Sequence, residues 1–326
     1  MGKKVILAGG TGFVGTLLGR RLRTEGWTVI VLTRQPPTQR DDGVLEVQWP
    51  ARPILGSNPT SFRTHGTWIH ACDGAEAVVN LAGRSVNCEH TPENRRQILE
   101  SRLDSVRVLG AALEQCREPP RVWVQCSALG YYGTRGLPEC DERSPAGKTF
   151  LAEVCSKWEE AFAATCPASI RPVVLRLGLV LGNGGGAFPP LARLTRCFLG
   201  GAVGGGNQGM SWIHQVDLEE IFLRVIGHET MRGAYNACAP GPATNAEFMR
   251  TLRQAVGRPW CPPAPAWLVR AVAELVLRTD PSLVLEGQFV GPARLLAEKF
   301  VFQHAQLPAA LRHLAGRKEG GALAGR

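Results

Sequence analysis

The sequence predicts an α/β fold, a doubly wound parallel sheet with a smaller C-terminal α/β lobe. Three observations predict it. Short β-branched runs alternate with longer helical patterns over residues 1–180. A glycine-rich turn joins the first strand to the first helix, and after Leu181 the regular alternation is interrupted by glycine runs. Strand–helix alternation of this kind requires a parallel sheet that is covered on both faces.

The elements of the first region follow from hydrophobic pattern and turn residues. A stretch with several prolines, residues 41–70, interrupts the alternation and is predicted to be a loop-rich insertion. The strands are predicted at Lys4–Ala8, Thr28–Leu32, Leu45–Val47, Ala77–Leu81, Arg121–Cys126 and Pro172–Leu177, and the helices at Phe13–Glu25, Glu93–Cys116 and Phe150–Thr165.

After Leu181 two glycine runs, 182–186 and 200–206, bracket a helical segment at Phe188–Leu199. A strand–helix pair at Ser211–Ile226 and a strand at Gly233–Ala237 follow, and a proline-rich connector leads into a last helical region. The predicted domains are a sheet domain at 1–181 to which 211–240 return, a substrate lobe at 182–210 and 241–315, and a flexible tail at 316–326.

Composition bounds the function classes. Apolar residues make up 44% of the chain and charged residues 20%, enough for a large core. The net charge of +9 comes mostly from scattered arginines without interleaved aromatics, so a cleft for phosphate-bearing small molecules is favoured over a nucleic-acid interface.

Cysteine usage and hydropathy bear on the compartment. The ten cysteines form no Cys-x-x-Cys pair, and His65, His70 and His90 form no metal-ligand spacing with a carboxylate or thiol, so reduced thiols and no metal site are expected. The N-terminal apolar run is too short for a signal peptide, and no stretch approaches the roughly 18 apolar residues that cross a bilayer. We therefore expect a cytoplasmic protein without membrane contact.

Three glycines spaced three apart, Gly9, Gly12 and Gly15, stand directly after the first strand and open a helix. This spacing permits a tight turn, a close approach of backbone to a pyrophosphate, and close packing of helix on sheet. The helix N-terminus then offers N–H groups to the anion. An ordinary strand–turn–helix is the alternative. The pattern predicts a Rossmann-type dinucleotide site formed by Gly9, Thr11, Gly12, Phe13, Val14 and Gly15.

The end of the second strand bears on which dinucleotide is bound. An NAD site usually has an acidic residue there for the ribose 2′-hydroxyl, whereas this chain has Thr33 and Arg34. A hydroxyl and a guanidinium match a 2′-phosphate, so NADP is favoured over NAD. A surface arginine at a strand end is the alternative.

Further motifs carry a family resemblance. They are the loop Gly9–Gly15, Val79-Asn-Leu-Ala-Gly83, Cys126-Ser-Ala-Leu-Gly-Tyr-Tyr-Gly133, Arg176-Leu-Gly-Leu-Val-Leu-Gly182, Trp212-Ile-His-Gln-Val-Asp-Leu218 and the C-terminal Leu285–Gln303. With them the chain resembles the extended or atypical short-chain dehydrogenases/reductases, in particular the NAD-epimerase/dehydratase-like proteins with an extra C-terminal domain. The resemblance implies further cofactor contacts at Leu81, Ala82, Gly83, Arg102 and Val180; a helix-surface arginine is the alternative for Arg102.

The acid–base pair of that family, Tyr-x-x-x-Lys on one helical face, is missing. The three tyrosines, Tyr131, Tyr132 and Tyr235, have no lysine four residues later. Aligned on Glu159, the expected helix places Leu151 in the Tyr slot and Cys155 in the Lys slot; aligned on Ser156-Lys157, it places Glu153 in the Tyr slot.

The resemblance leaves three candidate catalytic residues. Ser127 matches a substrate-binding hydroxyl, Tyr132 precedes a glycine as the family's tyrosine does, and Lys157 is a candidate for the ribose hydroxyls. The alternatives are that Ser127 is a loop hydroxyl, that the ring of Tyr132 only packs, and that Lys157 is a solvated helix lysine. His214 and Asp217 are a further candidate catalytic pair. Their spacing, however, favours Asp217 as the N-cap of a helix over Leu218–Ile226.

The sequence leaves three functions to be weighed. The leading one is an NADP(H)-dependent oxidoreductase or epimerase-like enzyme with a small-molecule substrate; the rival is a non-catalytic NADP-binding regulator or scaffold, which the missing pair favours. RNA binding, a third possibility, would need a basic groove with exposed aromatics. Whether the chain forms a homodimer is left open by the sequence.

Overall fold

The computed structural model describes residues 2–51 and 68–316 and divides the chain into two compact units. The first unit comprises Met1–Tyr131, Ala146–Arg176 and Glu219–Tyr235, and the second Tyr132–Pro145, Leu177–Leu218 and Asn236–Arg326. Residues 52–67 of the predicted insertion, including His65, and residues 317–326 of the predicted tail lie outside the described ranges.

A seven-stranded sheet is the centre of the first unit. Its order is β11-β7-β5-β4-β1-β2-β3, so the chain reverses direction across the sheet between β1 and β4. The pairings of β1 with β2 and β4, of β2 with β3 and of β4 with β5 are parallel. Ligands in such sheets bind beyond the carboxyl ends of the strands at this reversal. The strands are β1 (Lys4–Ala8), β2 (Thr28–Thr33), β3 (Leu45–Gln48), β4 (Ala77–Asn80), β5 (Val122–Ala128), β7 (Arg171–Leu177) and β11 (Gly233–Ala237).

Helices flank this sheet because its strands are apolar on both faces. The strands β1 and β4 read Lys-Val-Ile-Leu-Ala and Ala-Val-Val-Asn and are buried almost throughout. One face packs on a core that includes Trp68, Leu109, Trp123 and Phe162. The helices are α1 (Phe13–Thr24), α2 (Trp68–Cys72), α3 (Pro92–Leu113), α4 (Phe150–Thr165) and α6 (Gln215–Gly227).

The second unit is built from helices and short strand pairs around its own apolar cluster. Phe188, Trp212, Phe248 and Leu311 are all buried in this cluster. Three two-stranded sheets pair β10 with β8, β12 with β9 and β13 with β6. The strands are β6 (Arg135–Cys140), β8 (Leu179–Leu181), β9 (Gly209–Met210), β10 (Trp212–His214), β12 (Ala243–Thr244) and β13 (Gln288–Val290). The helices are α5 (Phe188–Arg196), α7 (Asn245–Val256), α8 (Ala266–Val272), α9 (Ser282–Leu285), α10 (Ala293–Ala297) and α11 (Leu307–Leu314).

The architecture confirms the predicted fold class. The predicted strands β1 and β11 and helix α4 have the observed bounds, and the other strands of the sheet differ by one or two residues at their ends. The short strands β6, β8, β9, β12 and β13 were not predicted, because runs of two to six residues carry little periodicity. No helix in residues 2–51 and 68–316 is both long and apolar enough to cross a membrane.

Candidate functional site

The glycine loop between β1 and α1 is held by close backbone packing at two of its glycines. Gly9 has a φ of 74°, and a Cβ there would lie 2.8 Å from the backbone of Ala82. A Cβ on Gly15 would lie 2.4 Å from the Cα of Gly10. The loop is therefore folded against the end of β4 and against itself, which only glycine permits at these positions.

Gly12 differs from its two partners in the motif. A Cβ there would meet nothing closer than the carbonyl oxygen of Gly9, at 3.8 Å. Internal packing therefore does not require glycine at this position. Open space beside a glycine at the start of the helix is what close approach of a ligand to the backbone requires.

The N-terminus of α1 has no side-chain cap, like those of α5, α8, α9, α10 and α11 and unlike those of α3, α4 and α7. Gly12 is its N-cap, no side chain accepts from its first turn, and no acidic residue lies there. By contrast, Thr91, Thr149 and Thr244 cap α3, α4 and α7. The first N–H groups of a helix have no acceptor inside it, so those of α1 are left for an external anion.

A buried polar network shapes the turn after β4. The amide nitrogen of Asn80 donates to Gln125 Oε1 at 2.9 Å and to Ser105 Oγ at 3.2 Å, and its amide oxygen accepts from the N–H of Ala82. Asn80 is completely buried. It thereby fixes the turn Leu81–Gly83 that lies against Gly9.

Arg102 of α3 lies beside that turn. Its Cζ would be 3.2 Å from a Cβ on Gly83, and its Nη1 donates to the carbonyl oxygens of Arg84 and Ile98. The guanidinium also lies over the ring of Trp158. Burial lowers the pKa of Arg102. The predicted contacts Leu81, Ala82, Gly83 and Arg102 are thus brought together with Gly9.

At the end of β2, Thr33 is buried and its Oγ1 accepts from the N–H of Gln35. The side chain of Arg34 is exposed, while its carbonyl oxygen accepts from Gln48 Nε2. Since β2 neighbours β1, both residues follow the carboxyl end of a strand next to the glycine loop. This is the position at which a ribose 2′-substituent is recognised in folds of this kind.

Ser127, at the end of β5, lies in a buried charged cluster. Its hydroxyl donates to Glu159 Oε1 at 2.7 Å. Arg176 donates to both oxygens of Glu159, from Nε at 2.9 Å and from Nη2 at 2.7 Å. The ring of Tyr131 lies 3.5 Å from the Cζ of Arg176. The Glu159–Arg176 pair is almost fully removed from solvent, at 13% and 6% side-chain exposure.

One stripe of α4 faces the end of β5. Leu151 lies beside Gly130, Cys155 interacts with Ser127, and Glu159 accepts from it. Spaced four apart, these three share a helical face. Burial, followed by the charge of Glu159, raises the pKa of the Cys155 thiol. The geometry matches the alignment on Glu159, in which Leu151 and Cys155 occupy the Tyr and Lys slots.

Lys157 does not belong to this stripe. It lies two residues beyond Cys155, roughly 200° around the helix, and pairs on the surface with Glu153. The geometry does not favour the predicted ribose contact of Lys157.

The two remaining predicted residues lie in the second unit. Tyr132 is completely buried and donates from its hydroxyl to Asn236 Oδ1 at 2.8 Å. Val180, in β8, accepts at its carbonyl oxygen from the N–H of Ala187. For Tyr132, this hydrogen bond matches the packing alternative more closely than a proton donor to substrate.

The expected N-cap role of Asp217 is wrong. Helix α6 begins at Gln215, so Asp217 lies inside its first turn. Its carboxylate accepts from the backbone N–H groups of Gln303 and His304, at 2.6 and 3.0 Å. The sequence could not reveal this, because the partners lie 86 and 87 residues away.

Sequence reasoning also missed the roles of Glu159 and Arg176. Glu159 served only as an alignment mark, and Arg176 only as part of a motif. A usable signal existed, since both residues stand among apolar neighbours, in Lys157-Trp-Glu159 and in Val174-Leu-Arg176-Leu. A charge in such surroundings requires a partner of opposite sign.

Comparison with known proteins gives the family. Residues 5–238 match the model of the NAD dependent epimerase/dehydratase family, and residues 264–314 match a domain of unknown function, DUF1731. The chain belongs to the NAD dependent epimerase/dehydratase family. The resemblance to extended short-chain dehydrogenases/reductases with an extra C-terminal domain is thereby confirmed.

Individual relatives match over nearly the whole chain. The epimerase family protein SDR39U1 of Homo sapiens is 35% identical, covering 95% of this chain and 99% of its own length. A crystal structure of human SDR39U1 (isoform 2) with NADPH has a TM-score of 0.81 at 33% identity, with 96% of this chain and 99% of that one covered. A nucleoside-diphosphate sugar epimerase from Corynebacterium glutamicum has a TM-score of 0.74 at 29% identity, with 97% of this chain and 59% of that one covered.

Proposed function

We propose that this chain binds NADP(H), with the pyrophosphate at the N-terminus of α1. The observation that carries the proposal is the combination at Gly12, where open space adjoins a helix start without a cap or an acidic side chain. The start of α1 suits the cofactor's diphosphate, because it offers backbone N–H groups and the positive end of the helix dipole. The NADPH in the crystal structure of human SDR39U1 supports the same proposal.

NADP is favoured over NAD because the end of β2 offers a hydroxyl and a guanidinium and no carboxylate. The exposed Arg34 is available to a 2′-phosphate through charge-assisted hydrogen bonds. The residues proposed to hold the cofactor are Gly9, Thr11, Gly12, Phe13, Val14, Gly15, Thr33, Arg34, Leu81, Ala82, Gly83, Arg102 and Val180.

We further propose oxidoreductase or nucleotide-sugar-epimerase-like chemistry on a small molecule. NADP(H), when bound, supplies or accepts a hydride. The chain's own contribution is Ser127, whose oxygen can accept a hydrogen bond from a substrate hydroxyl while its own proton points to Glu159. A proton released at Ser127 Oγ then passes to the Glu159 carboxylate, which Arg176 holds in place.

A second candidate function is an NADP-binding regulator or scaffold without turnover. The stripe Leu151–Cys155–Glu159 favours it, since two of its three members have no proton to exchange near neutral pH. Leu151 has no titratable group, and burial raises the pKa of Cys155. The carboxylate of Glu159 already accepts three hydrogen bonds, two of them from a guanidinium.

Calorimetric titration tests cofactor binding. We expect NADPH to bind the wild-type chain more tightly than NADH, and Gly12→Ala to weaken NADPH at least about tenfold, because the added methyl fills the space for a phosphate. Gly227→Ala is the matched control, since a Cβ on Gly227 meets nothing within 4 Å and one on Gly12 meets only the Gly9 carbonyl oxygen, at 3.8 Å. No binding of either nucleotide would overturn the proposal.

Turnover separates the two functions. NADPH-loaded protein is mixed with a panel of carbonyl compounds and nucleotide sugars, and absorbance at the nicotinamide band is followed through a single turnover. Oxidation that Ser127→Ala slows at least about tenfold supports the enzyme. Binding of NADPH without oxidation by any member of the panel supports the regulator.

We also propose that the protein works in the cytoplasm. The ten cysteines are free in the structure, including the buried Cys72, whose thiol has a pKa raised by burial to about 12. Free thiols suit a reducing compartment. Fractionation of the native host cells, with the protein found in the soluble fraction, is the expected result; recovery in a membrane fraction or an oxidising compartment would contradict it.

A further inference from the structure

Three imidazole rings meet in the second unit, each from a different element. His214 ends β10, His304 lies between α10 and α11, and His313 lies in the last turn of α11. The ring centroids are 3.8 Å apart for His214–His304, 4.7 Å for His304–His313 and 5.1 Å for His214–His313. One ring nitrogen of each residue lies within 4.8 Å of those of the other two. We call this group the histidine cluster.

The spacing of two of these nitrogens fits a shared metal ion. His313 Nδ1 and His214 Nε2 are 3.2 Å apart. Two imidazole nitrogens bound to one tetrahedral ion at about 2.0–2.1 Å lie roughly 3.3 Å from each other. The nitrogen of His304 is at most 4.8 Å away, and its ring lies against that of His214 at a tilt of 37°. To share the ion, His304 must rotate out of this stack so that its lone pair points at the same place.

The frame around the histidine cluster is well supported. His214 pairs with Leu181 across β10 and β8. The carboxylate of Asp217 accepts from the N–H groups of Gln303 and His304 and so holds the turn that carries His304. Helix α11 is anchored in the core of the second unit through its buried apolar face. His214 is completely buried whereas His313 is exposed, which gives an ion a route from solvent.

Two hydrogen bonds of His214 change when an ion binds. The N–H of Val216 donates to His214 Nδ1 at 3.2 Å. The proton of neutral His214 is therefore on Nε2 and is donated to His313 Nδ1. An ion at His214 Nε2 replaces this proton. Neutral His214 then carries its proton on Nδ1, so the hydrogen bond from the Val216 N–H is lost. His313 Nδ1 already presents its lone pair and needs no change.

Because binding costs a hydrogen bond of His214, the ion must bind imidazole nitrogen strongly. Hard cations such as Mg²⁺ and Ca²⁺ prefer oxygen ligands and gain little from three neutral imidazoles. Zn²⁺, Ni²⁺ and Cu²⁺ bind imidazole strongly, with Cu²⁺ the strongest of the series. The carboxylate of Asp217 accepts hydrogen bonds from the backbone N–H groups of Gln303 and His304, so it supports the turn that carries His304 and is not a ligand of the proposed ion.

We propose that His214, His304 and His313 form a binding site for one divalent transition-metal ion of the Zn²⁺, Ni²⁺ and Cu²⁺ class, with a further coordination position facing solvent. The ion would join the end of β10 to the last turn of α11. Because it would bind the folded chain, it would also raise thermal stability.

Calorimetry on the untagged, chelator-treated full chain tests the site. We expect Zn²⁺ to bind with one ion per chain and to raise the melting temperature, and Mg²⁺ to do neither. His313→Gln and His304→Gln should each weaken Zn²⁺ at least about tenfold. His228→Gln is the matched control, an exposed histidine of the first unit, and should bind as the wild type does.

Spectroscopy distinguishes this site from the ten cysteines. The electron paramagnetic resonance spectrum of the Cu²⁺-loaded chain should show coupling to nitrogen ligands, reduced in His313→Gln. Circular dichroism of each variant verifies its fold. A wild-type chain without saturable one-to-one binding, variants that bind as tightly as the wild type, or a spectrum dominated by sulfur ligands would each overturn the proposal.

Discussion

The glycine loop and the end of β5 are two regions of the same unit, and they differ in the space beside them. The space is open at the loop and filled at the end of β5. At the loop, Gly12 leaves space, and the start of α1 has neither a cap nor an acidic side chain. At the end of β5, the space beside Ser127 is filled by the Glu159–Arg176 pair and by Cys155. The chain thus keeps the open backbone loop that suits a dinucleotide, while Leu151 and Cys155 occupy the slots of the family's acid–base pair and the neighbouring Glu159 is held in a buried ion pair with Arg176.

The largest effect is expected where the filled region is broken. Glu159→Gln removes the carboxylate charge that faces the buried Arg176 guanidinium, and we expect the free energy of unfolding to fall by about 3 kcal/mol. Urea unfolding measures the change. Glu160→Gln, an exposed neighbour, is the control and should change stability by less than about 0.5 kcal/mol.

The double replacement Glu159→Leu with Arg176→Met sharpens this result. Removing both charges together should restore most of the lost stability, because neither partner is then left uncompensated. A loss below about 1 kcal/mol for Glu159→Gln would mean that the pair is well solvated. The end of β5 would then resemble an open site more than a filled one.

The open region should respond to charge in the opposite way. In Gly12→Asp a carboxylate occupies the place where the anion is proposed to bind, and we expect NADPH affinity to fall about 100-fold, about 2.7 kcal/mol. Thermal stability should stay the same or rise slightly, because aspartate is a good N-cap. Calorimetry and thermal unfolding measure the two quantities. Loss of stability together with loss of binding would point to a folding defect.

The sequence predicted the open region better than the filled one, for a physical reason. The loop is local: Gly9, Gly12 and Gly15 act through backbone geometry that three-residue spacing already encodes. The contact between Gly9 and Ala82 follows because neighbouring parallel strands end at the same edge. Fold class and the sheet strands were therefore recoverable to within a few residues.

The filled region depends on contacts between residues far apart in sequence. Ser127 meets Glu159 across 32 residues, and Glu159 meets Arg176 across 17. Helical periodicity groups Leu151, Cys155 and Glu159 on one face but does not say what that face touches. The histidine cluster is a stronger case, since His214 and His313 are separated by 99 residues and no motif links them.

A smaller effect is expected at the end of β2, at the rim of the open region. Arg34→Leu removes an exposed guanidinium that is proposed to bind the 2′-phosphate. We expect NADPH affinity to fall about tenfold, with NADH affinity unchanged, because only NADPH carries that phosphate. Competition titration with both nucleotides measures the ratio. Equal losses for the two nucleotides would show that Arg34 acts on a part of the cofactor that they share.

The smallest effect is expected at Lys157, which the sequence assigned to the ribose and the structure places on the outer face of α4. Lys157→Met removes an exposed ion pair with Glu153 four residues earlier, and such pairs contribute only about 0.3–0.5 kcal/mol. We therefore expect unfolding free energy to change by that amount at most and NADPH affinity to stay within about twofold of wild type. A tenfold loss of NADPH affinity would show instead that Lys157 reaches the ribose. Part of the family's catalytic arrangement would then survive in this chain, and the contrast between the open and the filled region would be weaker than the geometry implies.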